Sequence, residues 1–228
     1  MKALWLVCIL PILVSPLRSQ SSAVADPVFE MEFTHPALTP GHWTLTLHPD
    51  GSGHFHSERR DPATPVEESS ENARIATPPD IDRDIELSAR FTRRVFDTAR
   101  RHRFFNEECE SHLKVAFTGW KKLSYRGPDG VGSCRFSYGQ DKEIEALGGS
   151  LLSVAEAIAT GERLRLLLQH DRLGLDREME NLAVADADGR VEQLGVIRGI
   201  LESVRDDPRV MERVKKRARL LLAHADEE

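Results

Sequence analysis

The sequence predicts an α+β protein, with an antiparallel sheet of about five or six strands, two packed helices and a C-terminal all-α segment. Short runs between residues 28 and 138 alternate polar and apolar side chains, which is the period of half-buried strands. Two pairs of these runs are joined by Pro-Asp-Gly, which is typical of hairpin turns. From Gly161 onward the apolar spacing is helical. We therefore divide the mature chain into an α+β domain (residues 26–160) and a helical segment (residues 161–228).

The first 25 residues have the three parts of a secretory signal peptide. Lys2 provides the positive start, residues 4–14 form an apolar run, and residues 23–25 are the cleavage motif Ala-Val-Ala. The apolar run is far shorter than the roughly 20 residues that a membrane-spanning helix needs. We therefore expect an exported protein, periplasmic or secreted, that is cleaved after Ala25 and has no transmembrane segment afterwards.

The charge of the chain argues against nucleic acid as a partner. The chain carries 31 basic and 37 acidic side chains, a formal net charge of −6, and loss of Lys2 and Arg18 with the signal peptide makes it −8. Nucleic acids are bound by basic surfaces, because the phosphates must be neutralised. The expected partner is instead a protein or another component of the cell envelope, of unknown identity.

Two cysteines, Cys109 and Cys134, follow the predicted signal peptide. An even number of cysteines in an oxidising compartment favours one disulfide bond. Closing a loop of that size would stabilise the folded chain by about 3.5 kcal/mol through the entropy of the unfolded state. The alternative is a pair of buried free thiols.

The first hairpin lies within residues 42–57 and follows a strand in residues 27–34. Its Pro-Asp-Gly sequence fits a three-residue loop that places Leu45 opposite Phe55. The next segment, residues 59–80, is rich in proline and charge. It is expected to be a flexible surface connector, with a mobile loop over a site as the alternative.

A short strand near residues 81–87 leads into a helix that Ser88 can cap. That helix is expected to end near Arg103, and the next two residues, Phe104 and Phe105, are expected to fill the core beyond its end.

The second hairpin is expected to have a two-residue turn at residues 129–130, which pairs Tyr125 with Cys134. A helix capped by Asp141 follows. Its glycine pair, residues 148–149, disfavours helix by about 1 kcal/mol each unless the backbone packs closely on the sheet. Both hairpins contain Pro-Asp-Gly-x-Gly and precede a helix, so they are either an internal duplication or two uses of one turn chemistry.

Four helices are expected beyond residue 160. A short one ends near Gly174, Asp176 caps the second, residues 191–204 form the third, and the fourth starts at Asp207 with Pro208 in its first turn. The last helix is basic, and its candidate interaction residues are Arg209, Arg213, Lys216 and Arg217. Such a helix can dock on an anionic surface, or its charges can complement the helix dipole and face water.

Four histidines of the first hairpin, His42, His48, His54 and His56, are predicted to share the sheet face opposite Trp43. Two imidazoles on one side of a strand have a spacing that can chelate Zn or Cu. The alternative is a polar outer face open to water, because no carboxylate or cysteine nearby in the sequence completes a ligand set. No cofactor is predicted, with Zn or Cu as the alternative.

The sequence contains no Gly-x-Ser-x-Gly, His-Glu-x-x-His, Cys-x-x-Cys or Walker-type motif. The predicted function is therefore that of an exported, non-catalytic binding or interaction module. The alternatives are a divalent metal-binding protein that uses the hairpin histidines, and an uncharacterised hydrolase with residues in the 59–80 segment.

Residues 43–51 read Trp-Thr-Leu-Thr-Leu-His-Pro-Asp-Gly, and a helix closing on Phe-Phe and a second hairpin with its helix follow. In these features residues 28–158 resemble a group of small exported bacterial domains of unknown function. The resemblance implies an exported α+β domain and carries no catalytic residues with it. The chain departs from that group in residues 35–41, where the cysteine of the group's early loop is missing.

Overall fold

The computed structural model describes residues 26–38, 40–58 and 80–228, and it confirms the α+β class. The predicted signal peptide and residues 59–79 lie outside the described part of the chain. Six strands within these ranges form one antiparallel sheet in the order β4-β3-β2-β1-β5-β6. The strands are β1 (Val28–Thr34), β2 (His42–Leu47), β3 (Ser52–Glu58), β4 (Ile81–Glu86), β5 (Trp120–Gly127) and β6 (Gly130–Phe136).

Five α-helices of the described chain follow or interrupt the strands, and most of them lie toward the C-terminus. They are α1 (Ala89–Arg101), α2 (Lys142–His170), α3 (Arg172–Ala187), α4 (Arg198–Asp206) and α5 (Glu212–Glu227), with short 3₁₀ turns at Arg103–Phe105 and Leu194–Ile197. Among the described residues no helix is both long enough and apolar enough to cross a membrane.

The core lies on one face of the sheet, which we call the covered face. Strand alternation sends most of the apolar side chains of the strands to that side, and Phe29, Met31, Leu45 and Leu123 there are fully buried. The apolar stripes of α1 and α2 belong to the same buried cluster, which continues into the helical segment. The alternate residues of each strand, most of which are polar, point to the opposite face of the sheet, which we call the open face.

The first hairpin has the predicted register. Leu45 pairs with Phe55, and the backbone N–H of His48 donates to the carbonyl of Ser52 at 2.8 Å. Gly51 has φ = 93°, the left-handed conformation that a three-residue loop requires. Local turn chemistry therefore sets this register.

The second hairpin differs from its prediction. Tyr125 pairs with Gly132, because the turn is formed by residues 128–129. A Cβ on Gly130 would lie 2.1 Å from the Phe104 ring, so this glycine leaves space for an aromatic side chain rather than forming the turn. The predicted register was wrong by two residues. A shift of two preserves the faces of the strand, so Cys134 still points into the core.

A left-handed turn joins α1 to the next segment. Arg103, Phe104 and Phe105 have φ values of 51°, 60° and 64°, a conformation that costs roughly 1–2 kcal/mol per residue. Packing offsets this cost. Phe105 is fully buried against Phe29, with ring centroids 5.9 Å apart, and Phe104 stacks on Tyr125 at 5.0 Å. The two phenylalanines thus fill the core as predicted.

The predicted disulfide is confirmed. Cys109 and Cys134 are bonded, with Cα atoms 5.7 Å apart, and both are buried. The bond ties the segment after the left-handed turn to β6.

Helix α2 is longer than predicted. It runs for 29 residues from Lys142 to His170, so the separate short helix expected beyond residue 160 and ending near Gly174 was wrong. A Cβ on Gly161 would lie 2.4 Å from Ile197, which shows that the glycine permits close helix packing and does not stop the helix. The predicted boundary between residues 160 and 161 falls inside α2.

Two predicted helix starts in the C-terminal segment were also wrong. Asp171, not Asp176, caps α3 by accepting the N–H of Leu173 at 3.0 Å. Helix α5 begins at Glu212, because Asp207 closes a turn before it by accepting the N–H of Arg209 at 2.8 Å.

The glycine pair in α2 gives a matched prediction. Gly149 is exposed, and a Cβ added to it would meet no other part of the protein within 4 Å, so Gly149→Ala should stabilise the protein by about 0.5–1 kcal/mol. Gly148 faces the sheet, where its Cβ would lie 3.0 Å from Lys121 and 3.1 Å from Phe136. Gly148→Ala should therefore lose that gain and be less stable than Gly149→Ala by about 1–3 kcal/mol. Urea unfolding of both variants checks this, and equal midpoints would refute the proposed close packing.

Candidate functional site

The open face of the sheet presents mostly polar side chains, and its apolar members, Val28, Trp120 and Val131, lie on β1, β5 and β6. Within the described strands, none of the side chains that point to this face is buried. On β2, β3 and β4 the side chains of the open face include three of the predicted histidines, two threonines and four acidic residues. They are His42, Thr44, Thr46, His54, His56, Glu58, Asp82, Asp84 and Glu86.

Imidazoles and carboxylates alternate along this half of the face. His54 lies between two aspartates of β4, with Nδ1 3.0 Å from Asp84 Oδ1 and Nε2 3.0 Å from Asp82 Oδ1. The second oxygen of Asp82 lies 3.0 Å from Nδ1 of His56. Asp82 therefore bridges the two histidines of β3.

The alternation continues toward the centre of the sheet. Glu58 lies 3.4 Å from His56 Nε2 and 3.6 Å from His42 Nδ1. Glu32 of β1 lies 3.4 Å from the other nitrogen of His42 and 3.3 Å from Lys122 Nζ on β5. We call this set the histidine–carboxylate row; it consists of Asp84, His54, Asp82, His56, Glu58, His42 and Glu32.

At His56, carboxylates lie beside both ring nitrogens, which favours the charged imidazolium because both nitrogens can then donate a hydrogen bond. For His56 the hydrogen bond to Asp82 is the largest contribution, with a further one to Glu58, and together they raise the pKa above its ordinary value. The row thus joins four strands through contacts between imidazoles and carboxylates.

The carboxylates of β4 are the part of the site that sequence reasoning missed. The sequence offered no nearby carboxylate that completes a ligand set, and it did not show that β4 pairs with β3 and places Asp82 opposite His56 and Asp84 opposite His54. The alternation of aspartate with isoleucine in residues 81–85 was the available signal. Its pairing partner could not be read from the sequence, because β3 and β4 are separated by a long connection.

The structure brings three of the four predicted histidines together. His42, His54 and His56 belong to the row, whereas His48 lies in the turn between β2 and β3. Among the described residues no group of three or more His, Cys, Asp or Glu side chains is arranged to hold a metal ion. Zn or Cu binding by these histidines stays a prediction.

On the other half of the open face, the charged side chains of β5 and β6 are basic. Lys122 and Arg126 of β5 and Arg135 of β6 point to this side, and the Arg135 guanidinium lies 4.2 Å from the ring centroid of Trp120. A shallow cleft of about 330 Å³ lies there over β1, β5 and β6, with Ser124 among its lining residues. The open face therefore has an acidic edge at β4 and a basic edge at β5 and β6.

The basic residues predicted on the last helix are largely engaged within the chain. Arg213 lies 2.5 Å and Arg217 2.7 Å from the carboxylate of Asp176 on α3. Arg209 pairs with Asp207 at 2.9 Å, and Lys216 is exposed. The Asp176 carboxylate, predicted to be a helix cap, thus ties α3 to α5. An interaction role for the four basic residues stays a prediction.

Another histidine with two carboxylate neighbours lies away from the open face, at the end of α1. His102 has Nδ1 2.9 Å from Glu107 and Nε2 3.0 Å from Glu143. Burial disfavours its imidazolium, but the hydrogen bonds to the two glutamates outweigh this and raise the pKa of His102. This residue precedes the left-handed turn, so its charge helps to hold that turn in place.

His102 therefore predicts a pH dependence of stability. Because its pKa is raised in the folded protein, the charged side chain contributes stability that is complete below its unfolded pKa of about 6.5 and is lost as the pH rises through the folded pKa. We expect wild type to exceed His102→Gln in urea-unfolding free energy at about pH 6, and the difference to shrink toward about pH 9. A difference that grew with pH would contradict the assignment.

Comparison with protein-family models, with curated proteins and with solved structures found no match to this chain.

Proposed function

We propose that the protein is an exported, non-catalytic binding module whose contact surface is the open face of the sheet. The observation that carries this proposal is the histidine–carboxylate row, in which seven side chains from four strands are accessible to solvent and lie within 3.6 Å of their neighbours in the row. Contacts within the protein favour one arrangement of side chains, and side chains that are already ordered lose less conformational entropy when a partner binds. An accessible pattern of imidazoles and carboxylates therefore favours specific recognition.

The row supports binding better than catalysis. A general base needs an imidazole nitrogen that can accept a proton from a substrate. In the row, each imidazole has carboxylate oxygens within 3.6 Å of both nitrogens, so both nitrogens already face an acceptor within the protein. These contacts are therefore suited to hold the pattern of the face.

The chemistry of the face favours a protein surface of mixed charge as the partner. The acidic edge at β4 would repel a phosphate backbone, whereas alternating charges on a protein can match both edges. The disulfide bond supports export, because such bonds persist in oxidising compartments. We therefore also propose that the protein is exported and that it is similar to small exported domains of unknown function.

Two matched substitutions test the proposal. Thr46 lies at the centre of the open face, opposite His54 and Glu30, and Leu220 is 55% exposed on α5. In affinity capture from a cell-envelope fraction, Thr46→Arg should lose a partner that wild type and Leu220→Arg retain. Unchanged thermal unfolding of both variants would show that the fold is intact. Equal capture by all three proteins, or loss with Leu220→Arg alone, would contradict the assignment and favour the last helix.

The alternatives have weaker geometric support. A metal ion would have to replace the present contacts between the imidazoles and the carboxylates, because no group of ligands among the described residues is already arranged to hold one. A hydrolase would use residues 59–80, of which Asp80 alone is described.

A further inference from the structure

We propose that the partner on the open face is a second copy of this chain, bound face to face about a two-fold axis parallel to the strands. The inference rests on the proposed function, because it uses the same surface. A second copy fits both the charges and the dimensions of that surface.

The charge distribution of the open face is self-complementary. The acidic edge consists of Asp82, Asp84 and Glu86 on β4, and the basic edge holds Arg126 and Arg135. Consider two sheets that face one another and are related by a two-fold axis parallel to their strands. This symmetry places the acidic edge of each sheet over the basic edge of the other. Strand β4 of one copy then faces β6 of its partner, and β3 faces β5.

The middle of the face fits the same arrangement. Beside the axis, β2 of one copy faces β1 of the other, which sets Thr44 opposite Glu32 and Thr46 opposite Glu30. Thr44 and Thr46 are short side chains, so they permit the sheets to approach to the roughly 10 Å of ordinary face-to-face packing.

The size of the face indicates a weak dimer. Six strands about 4.8 Å apart, each of six to eight residues at about 3.3 Å, cover roughly 500–600 Å² on each copy. The total of roughly 1,000–1,200 Å² is at the lower limit for a specific interface. We therefore expect a dissociation constant near the micromolar range that rises with salt, because exposed charges are screened over about 8 Å at physiological ionic strength.

Analytical ultracentrifugation of the mature chain tests the inference with charge-reversed variants. Asp84→Lys/Glu86→Lys makes both edges basic, and Arg126→Glu/Arg135→Glu makes both edges acidic. Each variant alone should be monomeric at concentrations where wild type dimerises, because like edges then face one another. A 1:1 mixture of the two variants should restore the dimer, since a copy with two basic edges fits a copy with two acidic edges.

A double variant of the helical segment, Glu202→Lys/Glu227→Lys, serves as the control and should dimerise like wild type. Three results would overturn the inference: wild type that is monomeric to millimolar concentration, a dimer that the open-face variants leave intact, or a mixture that stays monomeric. Monomeric wild type together with Thr46-dependent capture of another protein would overturn the second copy as partner and leave the proposed function standing.

Discussion

Replacing Cys109 and Cys134 together with serine is expected to lower the free energy of unfolding by about 3.5 kcal/mol. The two residues are 25 positions apart, and the bond limits the freedom of the unfolded chain over that loop. The loss is large against the total stability of about 5–15 kcal/mol that a domain usually has.

The disulfide also supports contacts in the folded state. Beside Cys109, the N–H of Gln140 donates to the Cys109 carbonyl at 2.8 Å, and the N–H of Ser111 donates to the Tyr138 carbonyl at 2.8 Å. These backbone bonds join the segment before β5 to the chain after β6. Without the disulfide we expect this segment to exchange its amide hydrogens faster than the strands do.

Urea unfolding of the oxidised wild type, the reduced wild type and the double variant measures this effect. The reduced protein and the variant should agree with each other and lie well below the oxidised protein. A variant within about 1 kcal/mol of the oxidised wild type would contradict the expected contribution.

Gly132→Ala is expected to destabilise the protein by about 3 kcal/mol, at the upper end of the range for overpacked positions. An added Cβ would lie 2.5 Å from the carbonyl oxygen of Phe104 and 2.8 Å from the backbone nitrogen of Asn106. Both contacts are backbone atoms of the left-handed turn, so a side-chain rotation cannot relieve them. The turn would have to move away from β6, and the packing of Phe105 on Phe29 would weaken with it.

Ser133→Ala is the matched control, because Ser133 is the next residue of β6 and is exposed on the open face. Its substitution should change the free energy of unfolding by no more than about 0.5 kcal/mol. If Gly132→Ala were as stable as Ser133→Ala, the close approach of the turn to β6 would be wrong.

Local features of the fold could be predicted because neighbouring residues determine them. Alternation set the strand faces, and side-chain oxygens of Ser88 and Asp141 cap α1 and α2 as expected, at 3.3 Å from Phe91 N and 2.7 Å from Glu143 N. The loop containing Gly51 set the register of the first hairpin.

Glycines whose role depends on distant residues were misread. Gly130 and Gly132 repeat the spacing of Gly51 and Gly53, which suggested a second glycine-containing turn. Their role is instead to leave space for the turn after α1, which is remote in sequence. Gly161 likewise makes room for Ile197 and does not end a helix.

The candidate site was half visible in the sequence. The histidines could be assigned to one face from alternation alone, whereas their carboxylate partners on β4 depend on a strand pairing across residues 59–79. A buried residue of β5 was also missed, although its alternation with Leu123 and Tyr125 places it on the covered face. Lys121 lies on the covered face, where its Nζ donates to the Ser137 carbonyl at 2.7 Å, and burial lowers its pKa.

Site-specific photocrosslinking is the most direct test of whether the open face is the contact surface of the protein. A photoreactive residue at Thr44, on the open face, is compared with one at Val184, which is 52% exposed on α3. In a cell-envelope fraction containing the full chain, position 44 should give a discrete crosslinked product, whose intact mass shows whether the partner is a second copy. Position 184 should give none. A product from position 184 alone, or equal yields from both positions, would contradict the claim.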